Sequence, residues 1–263
     1  MFRLTDQQKA SYKENGYLVG LPPVFDSKEL MAGYELLTGS LMEGELPSDM
    51  INWHRTSRWL YDLCTHPQVL DAVEDIIGPD FVLWATDFIT KSPHSEKIVP
   101  WHQDAYYWPL HPHNTVTVWM AFTDVDEGNA AMKVIPGTHR GGVIKHKIAD
   151  KSSILSFELD DGAYREDTAV SLAIPAGGFS LHDDAVIHGS PANLSDRWRI
   201  GFVARYSGTN VKCDLTKTPH YLAYLVRGKD EFKHNPMGVP PAESYARPPY
   251  HRRIRKTEAD GIN

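Results

Sequence analysis

The period of the apolar residues changes along this chain, and that change limits the folds it can adopt. Before residue 80 the apolar side chains recur with helical spacing, whereas residues 81–90 are rich in aromatic and β-branched side chains and read with a period of two. Further segments of strand character follow at 115–122, 131–135, 170–174, 179–182 and 198–206. Helices followed by a run of short strands indicate an α+β protein.

The helices are predicted from their capping residues. Thr5 and Gln8 have the spacing of a capping box, and Gly16 suits a left-handed C-cap. A second helix is expected after Asp26 or Ser27, and a third over about 67–77. We expect these N-terminal helices to pack on one sheet of a double-stranded β-helix (a jelly roll, cupin-like) at about 81–207, within a single domain of 263 residues.

Composition excludes several classes of protein. The formal net charge is −7, which does not favour nucleic-acid binding, and two cysteines in 263 residues cannot form a disulfide framework. The first residues lack the apolar segment of a signal peptide, and no apolar run approaches the length of a membrane span. We therefore expect a cytoplasmic protein without a membrane partner; the oligomeric state is not predicted.

The segment Trp101-His102-Gln103-Asp104 carries the clearest chemical signal. On an extended strand His102 and Asp104 point to the same face, because successive side chains alternate. They would supply two of the three ligands of a 2-His-1-carboxylate site for Fe(II). The third ligand is expected to be a histidine on a later strand, and His188 is the best candidate.

Several sequence blocks together resemble the phytanoyl-CoA dioxygenase (PhyH) family of Fe(II)/2-oxoglutarate-dependent oxygenases. The resemblance covers roughly residues 5–206, and joint matching in order is more specific than any single block. The matching blocks are the GYLV segment after the first helix, His102-Gln103-Asp104, the turn Ile135-Pro136-Gly137-Thr138-His139-Arg140-Gly141, and His188-Gly189-Ser190 followed by Asn193, Ser195 and Arg199.

The resemblance implies a role for each matching residue. His102, Asp104 and His188 would ligate Fe(II), with 2-oxoglutarate and O2 as co-substrates. Arg199 would bind the distal carboxylate of 2-oxoglutarate through its planar fork. The remaining co-substrate residues would be Thr138, through its hydroxyl, and Trp119, as part of the pocket wall.

The residues themselves leave alternatives open. His182-Asp183-Asp184 lies near His188 and is a rival metal group. Arg197 has the same strand parity as Arg199, so only the spacing in the family pattern separates them. The Thr138 hydroxyl could serve only the backbone of its turn.

The substrate is predicted only as a class. Tyr106, Tyr107 and Trp108 follow the metal motif and suit sugars, cyclic amines or flat polyketides, although packing under a lid is an equal alternative. Residues 143–168 are expected to form a lid loop, and 227–263 an irregular tail whose basic run at 251–256 is interpreted as a solvated terminus.

These features predict a dioxygenase that hydroxylates or oxidatively cyclises a small metabolite, in bacterial secondary metabolism of a sugar-containing or polyketide antibiotic. A carboxylate at Asp104 argues against halogenation, because halogenating relatives have a small residue there. The alternative from another class is a non-catalytic metal-binding jelly-roll module. A zinc hydrolase that uses the same three ligands is a third.

Overall fold

A computed structural model of the chain describes residues 2–248. The basic run at 251–256 and the end of the predicted tail lie outside these residues. The described part contains four α-helices: α1 (Asp6–Asn15), α2 (Ser27–Thr38), α3 (Arg58–Cys64) and α4 (Pro67–Ile77).

The helix ends follow the predicted capping chemistry. The Thr5 hydroxyl accepts a hydrogen bond from the Gln8 N–H, and the Gln8 side chain accepts one from the Thr5 N–H. Gly16 ends α1 in the left-handed conformation, with φ of 79°. Helix α3 was not predicted, because its seven residues are too few to show a period; the Ser57 hydroxyl caps it.

The chain then forms most of its strands. In chain order the strands of the described residues are β1 (Tyr17–Leu18), β2 (Phe81–Lys91), β3 (Val99–His102), β4 (Leu110–His111), β5 (Thr115–Ala121), β6 (Lys133–Ile135), β7 (His146–Ile148), β8 (Phe157–Leu159), β9 (Val170–Ser171), β10 (Phe179–His182), β11 (Ile187–Ser190), β12 (Arg199–Gly208), β13 (Lys212–Cys213) and β14 (Tyr224–Arg227). The strands predicted at 131–135 and 170–174 are thus shorter than expected.

Two antiparallel sheets build the β-helix. The larger has the strand order β1-β10-β5-β12-β2-β14, and the smaller has the order β3-β11-β6-β9. Strands β1 and β14 extend the larger sheet beyond the predicted core at 81–207.

Alternation along the central strands separates the core from the space between the sheets. On β12, Phe202, Ala204 and Tyr206 join the cluster of apolar residues under the helices, whereas Arg199 and Arg205 line the interior. Each large apolar side chain buried in this way contributes about 1.5–3 kcal/mol. The same period of two therefore builds the helix–sheet core and aims polar side chains inward.

The segment predicted as a lid loop contains a β-hairpin. Strands β7 and β8 pair antiparallel, with His146 opposite Leu159. Each strand has only three residues, which is too short for a sequence pattern to reveal. The tip of the hairpin reaches the residue just before β3, where the Ile154 N–H donates to the Ile98 carbonyl at 3.1 Å.

The described part of the C-terminal tail wraps the body of the protein. The N–H groups of Arg58 and Trp59 at the start of α3 donate to the carbonyls of Glu243 and Ser244. The Trp59 and Tyr245 rings lie 5.8 Å apart. Among the helices of residues 2–248, none has the length and apolar content to cross a bilayer.

Candidate metal centre

His102, Asp104 and His188 converge between the two sheets. One potential ligand atom from each residue lies within 4.8 Å of the others, and all three residues are buried. His102 ends β3 and is the direct strand partner of His188 on β11. The sequence analysis placed Asp104 on the same extended strand as His102, but the strand ends at His102. Asp104 instead begins a 3-10 turn over Asp104–Tyr106, and this turn directs its carboxylate toward the histidines.

Backbone carbonyls fix the orientation of both histidine rings. The Nδ1 atom of His102 lies 2.8 Å from the Pro100 carbonyl, and that of His188 lies 3.0 Å from the Val186 carbonyl. Each carbonyl accepts a hydrogen bond from the Nδ1–H group, which leaves the Nε2 atom free to bind a metal. Burial, with a contribution from His102, lowers the pKa of His188 well below its ordinary value, so this ring is in the neutral form that binds a metal.

The Asp104 carboxylate is ionised. Burial by itself would raise its pKa, but contacts with His102 and His182 hold the pKa well below the ordinary value. Its Oδ1 atom lies 3.5 Å from the Nε2 atom of His102. Two neutral imidazoles and one carboxylate are the donor set of a non-haem Fe(II) site, so the residues present fit that metal.

Arg199 is a buried cation without an anion. Its side chain is 1% exposed, and Nη1 donates to the Ala130 carbonyl at 2.7 Å. Within residues 2–248, Nε and Nη2 have no hydrogen-bond partner, and no carboxylate forms an ion pair with this group. Arg197, the rival, lies at the surface and pairs with Asp126 at 2.6 Å. The geometry therefore fits a carboxylate ligand at Arg199.

One cavity between the sheets joins Arg199 to the three ligand residues. Trp119, from β5, forms part of the wall. The hairpin between β7 and β8 contributes two apolar residues. The wall consists of Ile89, Val99, His102, Asp104, Thr117, Trp119, Met132, Ile154, Leu155, His182, His188, Gly189, Ser190, Arg199, Val203 and Arg205.

Thr138 serves its own turn. Its hydroxyl donates to the Ile135 carbonyl at 2.8 Å and accepts the Ile187 N–H at 2.9 Å. It thereby ties the turn to β11 next to His188, and it lies outside the cavity wall. The geometry does not support the predicted contact with the co-substrate.

The rival metal group does not assemble. Among the described residues, the only cluster of three potential ligands is the one that contains His102. Asp184 instead lies 3.1 Å from Nδ1 of His113. His182 does reach the cavity, but its Nε2 atom faces Asp104 at 3.7 Å.

The three aromatic residues after the metal motif pack rather than line the cavity. The Tyr106 ring stacks on His146 with centroids 4.0 Å apart. The Tyr107 hydroxyl bonds to the backbone of Phe157 in the hairpin. Trp108 meets Trp84 edge to face at 4.9 Å. The packing alternative of the sequence analysis is thus the one that the structure favours.

Sequence reasoning missed several residues of the wall. Arg205 lies an even number of residues after Arg199 on β12, and Thr117 lies two residues before Trp119 on β5, so each points to the same face as its neighbour. Strand alternation could therefore have predicted Arg205 and Thr117 as residues of the wall. Ile154 and Leu155 carried no such signal, because the hairpin that presents them places them through contacts with distant residues.

This fold and site define a non-haem Fe(II)- and 2-oxoglutarate-dependent oxygenase. The chain belongs to the phytanoyl-CoA dioxygenase (PhyH) family, whose profile matches residues 41–201. The peroxisomal phytanoyl-CoA dioxygenase of Bos taurus is 27% identical over 236 residues, which are 79% of this chain and 69% of that protein. The human one is 28% identical over 225 residues, 74% and 66% of the two chains.

Solved structures confirm the jelly roll. The apo form of the non-haem monooxygenase ThoJ superposes with a TM-score of 0.78 at 23% identity, covering 91% of this chain and 90% of that chain. The epimerase SnoN, in complex with Fe3+, alpha ketoglutarate and nogalamycin RO, gives 0.67 at 19% identity, covering 91% and 96%. Family membership makes this chain an Fe(II)/2-oxoglutarate-dependent dioxygenase.

Proposed function

We propose that His102, Asp104 and His188 hold Fe(II), and that Arg199 binds the distal carboxylate of 2-oxoglutarate. One observation carries the proposal. Three potential ligand atoms lie within 4.8 Å of one another, in the same cavity as a buried guanidinium with two nitrogen atoms that find no partner among residues 2–248. A keto acid that spans the cavity would satisfy both groups at once.

The residues around the cavity position the co-substrate and exclude water. Arg199 offers a planar fork in a water-poor environment, where a carboxylate is bound more strongly than at the surface. Ile154 and Leu155 close the wall with apolar surface. Fe(II) with 2-oxoglutarate and O2 would supply the oxidising chemistry when bound.

The substrate that we propose is a small metabolite, which is hydroxylated or oxidatively cyclised. The carbocyclase SnoK and the epimerase SnoN, both from nogalamycin biosynthesis, share the fold of this chain. A carboxylate at Asp104 supports a non-halogenating outcome. We further propose a cytoplasmic location, although the mammalian relatives are named peroxisomal, so targeting should be tested directly by a fluorescent fusion to the full chain.

The test is anaerobic addition of Fe(II) and 2-oxoglutarate to the purified protein. We expect a visible charge-transfer band, and after admission of O2 we expect succinate, in amounts that increase with the correct substrate from a panel of polyketide glycosides, amino sugars and phytanoyl-CoA. Asp104→Ala should abolish the band. Asp183→Ala is the matched control, since it removes the carboxylate of the rival group, and it should retain the band.

The alternatives predict different results. A non-catalytic jelly-roll module would bind metal yet produce no succinate with any compound of the panel. A zinc hydrolase would stay active without O2. Either result would refute the oxygenase assignment of these residues.

A further inference from the structure

We infer that His182, together with Thr117, is a positioning pair that holds the outer oxygen of Asp104, so that this carboxylate offers only Oδ1 to the metal. The inference rests on the proposed function, because it assigns Asp104 as a ligand. It concerns two residues that the family pattern in the sequence did not include.

The two oxygen atoms of Asp104 have different surroundings. Oδ1 lies 3.5 Å from Nε2 of His102 and so faces the ligand cluster. Oδ2 lies 3.4 Å from the Thr117 hydroxyl and 3.7 Å from Nε2 of His182. The Thr117 hydroxyl donates a hydrogen bond to Oδ2, whereas Nε2 of His182 faces the same oxygen from just beyond hydrogen-bond distance.

The larger sheet sets this arrangement. His182 on β10 and Thr117 on β5 are direct strand partners, so their side chains project from the sheet at the same place and on the same face. They are 2% and 1% exposed, which excludes water as a competing partner for the carboxylate. The register of the ladder thus places two donors beneath one oxygen.

His182 is suited to support a ligand. Its ring lies 4.8 Å from the ring of His188, yet it is not part of the three-residue ligand group. Its Nδ1 atom has no hydrogen-bond partner among the described residues. A tautomer with the proton on Nε2 therefore costs no hydrogen bond at Nδ1 and turns an N–H toward Asp104.

The consequence concerns the number of positions that Asp104 occupies. With Oδ2 held by the pair, the carboxylate would offer a bound metal one oxygen instead of two. That would leave room at the site for 2-oxoglutarate and O2. Removal of the donors frees the carboxylate to rotate.

The experiment is titration of the full chain with Co(II) alone, followed by visible absorption. The test variants are His182→Leu, which removes the donor, and His182→Gln, which keeps one. Loss of such a supporting partner costs about 10- to 100-fold in metal affinity, and we expect that loss for His182→Leu. His182→Gln should stay within about threefold of wild type, which is a smaller loss than the lower limit of that range.

Threonine variants provide the matched control. Thr117→Val removes only the hydroxyl and should weaken Co(II) binding in the same direction, whereas Thr115→Val should not. Thr115 lies on the same strand and face, and its hydroxyl has no hydrogen-bond partner within residues 2–248.

The wavelength of the Co(II) absorption separates positioning from folding. If a variant loosens the fold, the Tm of the metal-free protein and the amplitude of the Co(II) band both fall. If it only frees Oδ2, the band moves to another wavelength and the Tm of the metal-free protein stays at the wild-type value. Wild-type affinity and wavelength in His182→Leu, or equal impairment in His182→Gln, would overturn the inference. The Co(II) titration contains neither 2-oxoglutarate nor O2, so its result does not depend on whether the protein has oxygenase activity. A wild-type chain that binds no Co(II) would refute both this inference and the proposed metal site.

Discussion

The guanidinium carbon of Arg199 lies 5.9 Å from the centroid of the Trp119 ring. The two side chains come from neighbouring strands of the larger sheet and project into the same cavity. Gly201 lies beside them, and a Cβ atom there would come within 2.0 Å of the Trp119 ring. The absence of a side chain at Gly201 therefore leaves the space that the Trp119 indole occupies in the wall next to Arg199.

Gly201→Ala should displace Trp119 and weaken 2-oxoglutarate binding. Overpacking of this kind costs about 1–3 kcal/mol of stability. Titration of the Fe(II) complex with 2-oxoglutarate, together with denaturant unfolding, measures both effects. Gly141→Ala is the control, since a Cβ atom there meets nothing within 4 Å. Wild-type affinity and stability in Gly201→Ala would show that Trp119 is free to move.

Arg199→Met should lose 2-oxoglutarate affinity and gain stability without ligand. Truncation of one partner of a buried charged pair costs about 2 kcal/mol or more, which is roughly a 30-fold loss of affinity. Burial lowers the pKa of Arg199 to about 9, so the unliganded fold is penalised for this charge and should have a higher Tm without it. Arg197→Met, at the surface, should change neither quantity; equal effects in both variants would contradict the assignment.

Lys91 should make stability depend on pH. Burial, and then Arg199, lowers the pKa of Lys91 to about 6, from 10.5 in the unfolded chain. Between about pH 6 and about pH 10 the unfolded state binds more protons, so the free energy of unfolding rises with pH across this window. Lys91→Met should flatten that rise, as measured by urea unfolding at several pH values.

The exposed Lys97 provides the control for this prediction. Lys97→Met should retain the wild-type slope of unfolding free energy against pH. A slope that survives in Lys91→Met would show that another group causes it.

Tyr107→Phe should loosen the hairpin between β7 and β8. The Tyr107 hydroxyl donates to the Phe157 carbonyl at 2.5 Å and accepts the Phe157 N–H at 3.1 Å, which fixes the hairpin to the segment that follows the turn at Asp104. Loss of these bonds costs about 1–3 kcal/mol locally. Hydrogen exchange of the amides over 146–159 should become faster.

Tyr106→Phe keeps the ring that stacks on His146 and should leave this exchange unchanged. If both variants exchange alike, the hydroxyl of Tyr107 does not hold the hairpin.

The sequence by itself determined the class of fold and singled out the three residues that the structure brings together as a candidate metal site. Capping chemistry marked α1, alternation marked β2 and β12, and short blocks around His102 and His188 singled out the ligands, because each of these signals is local in the chain. The tertiary structure decided the features that depend on contacts between distant parts of the chain. It removed the Thr138 hydroxyl from the cavity, chose Arg199 over Arg197 by burial, and turned a predicted loop into a hairpin that carries Ile154 and Leu155. These outcomes depend on which distant segments pack together, and His182 comes to lie beneath Asp104 only through the register of two strands that are far apart in the chain.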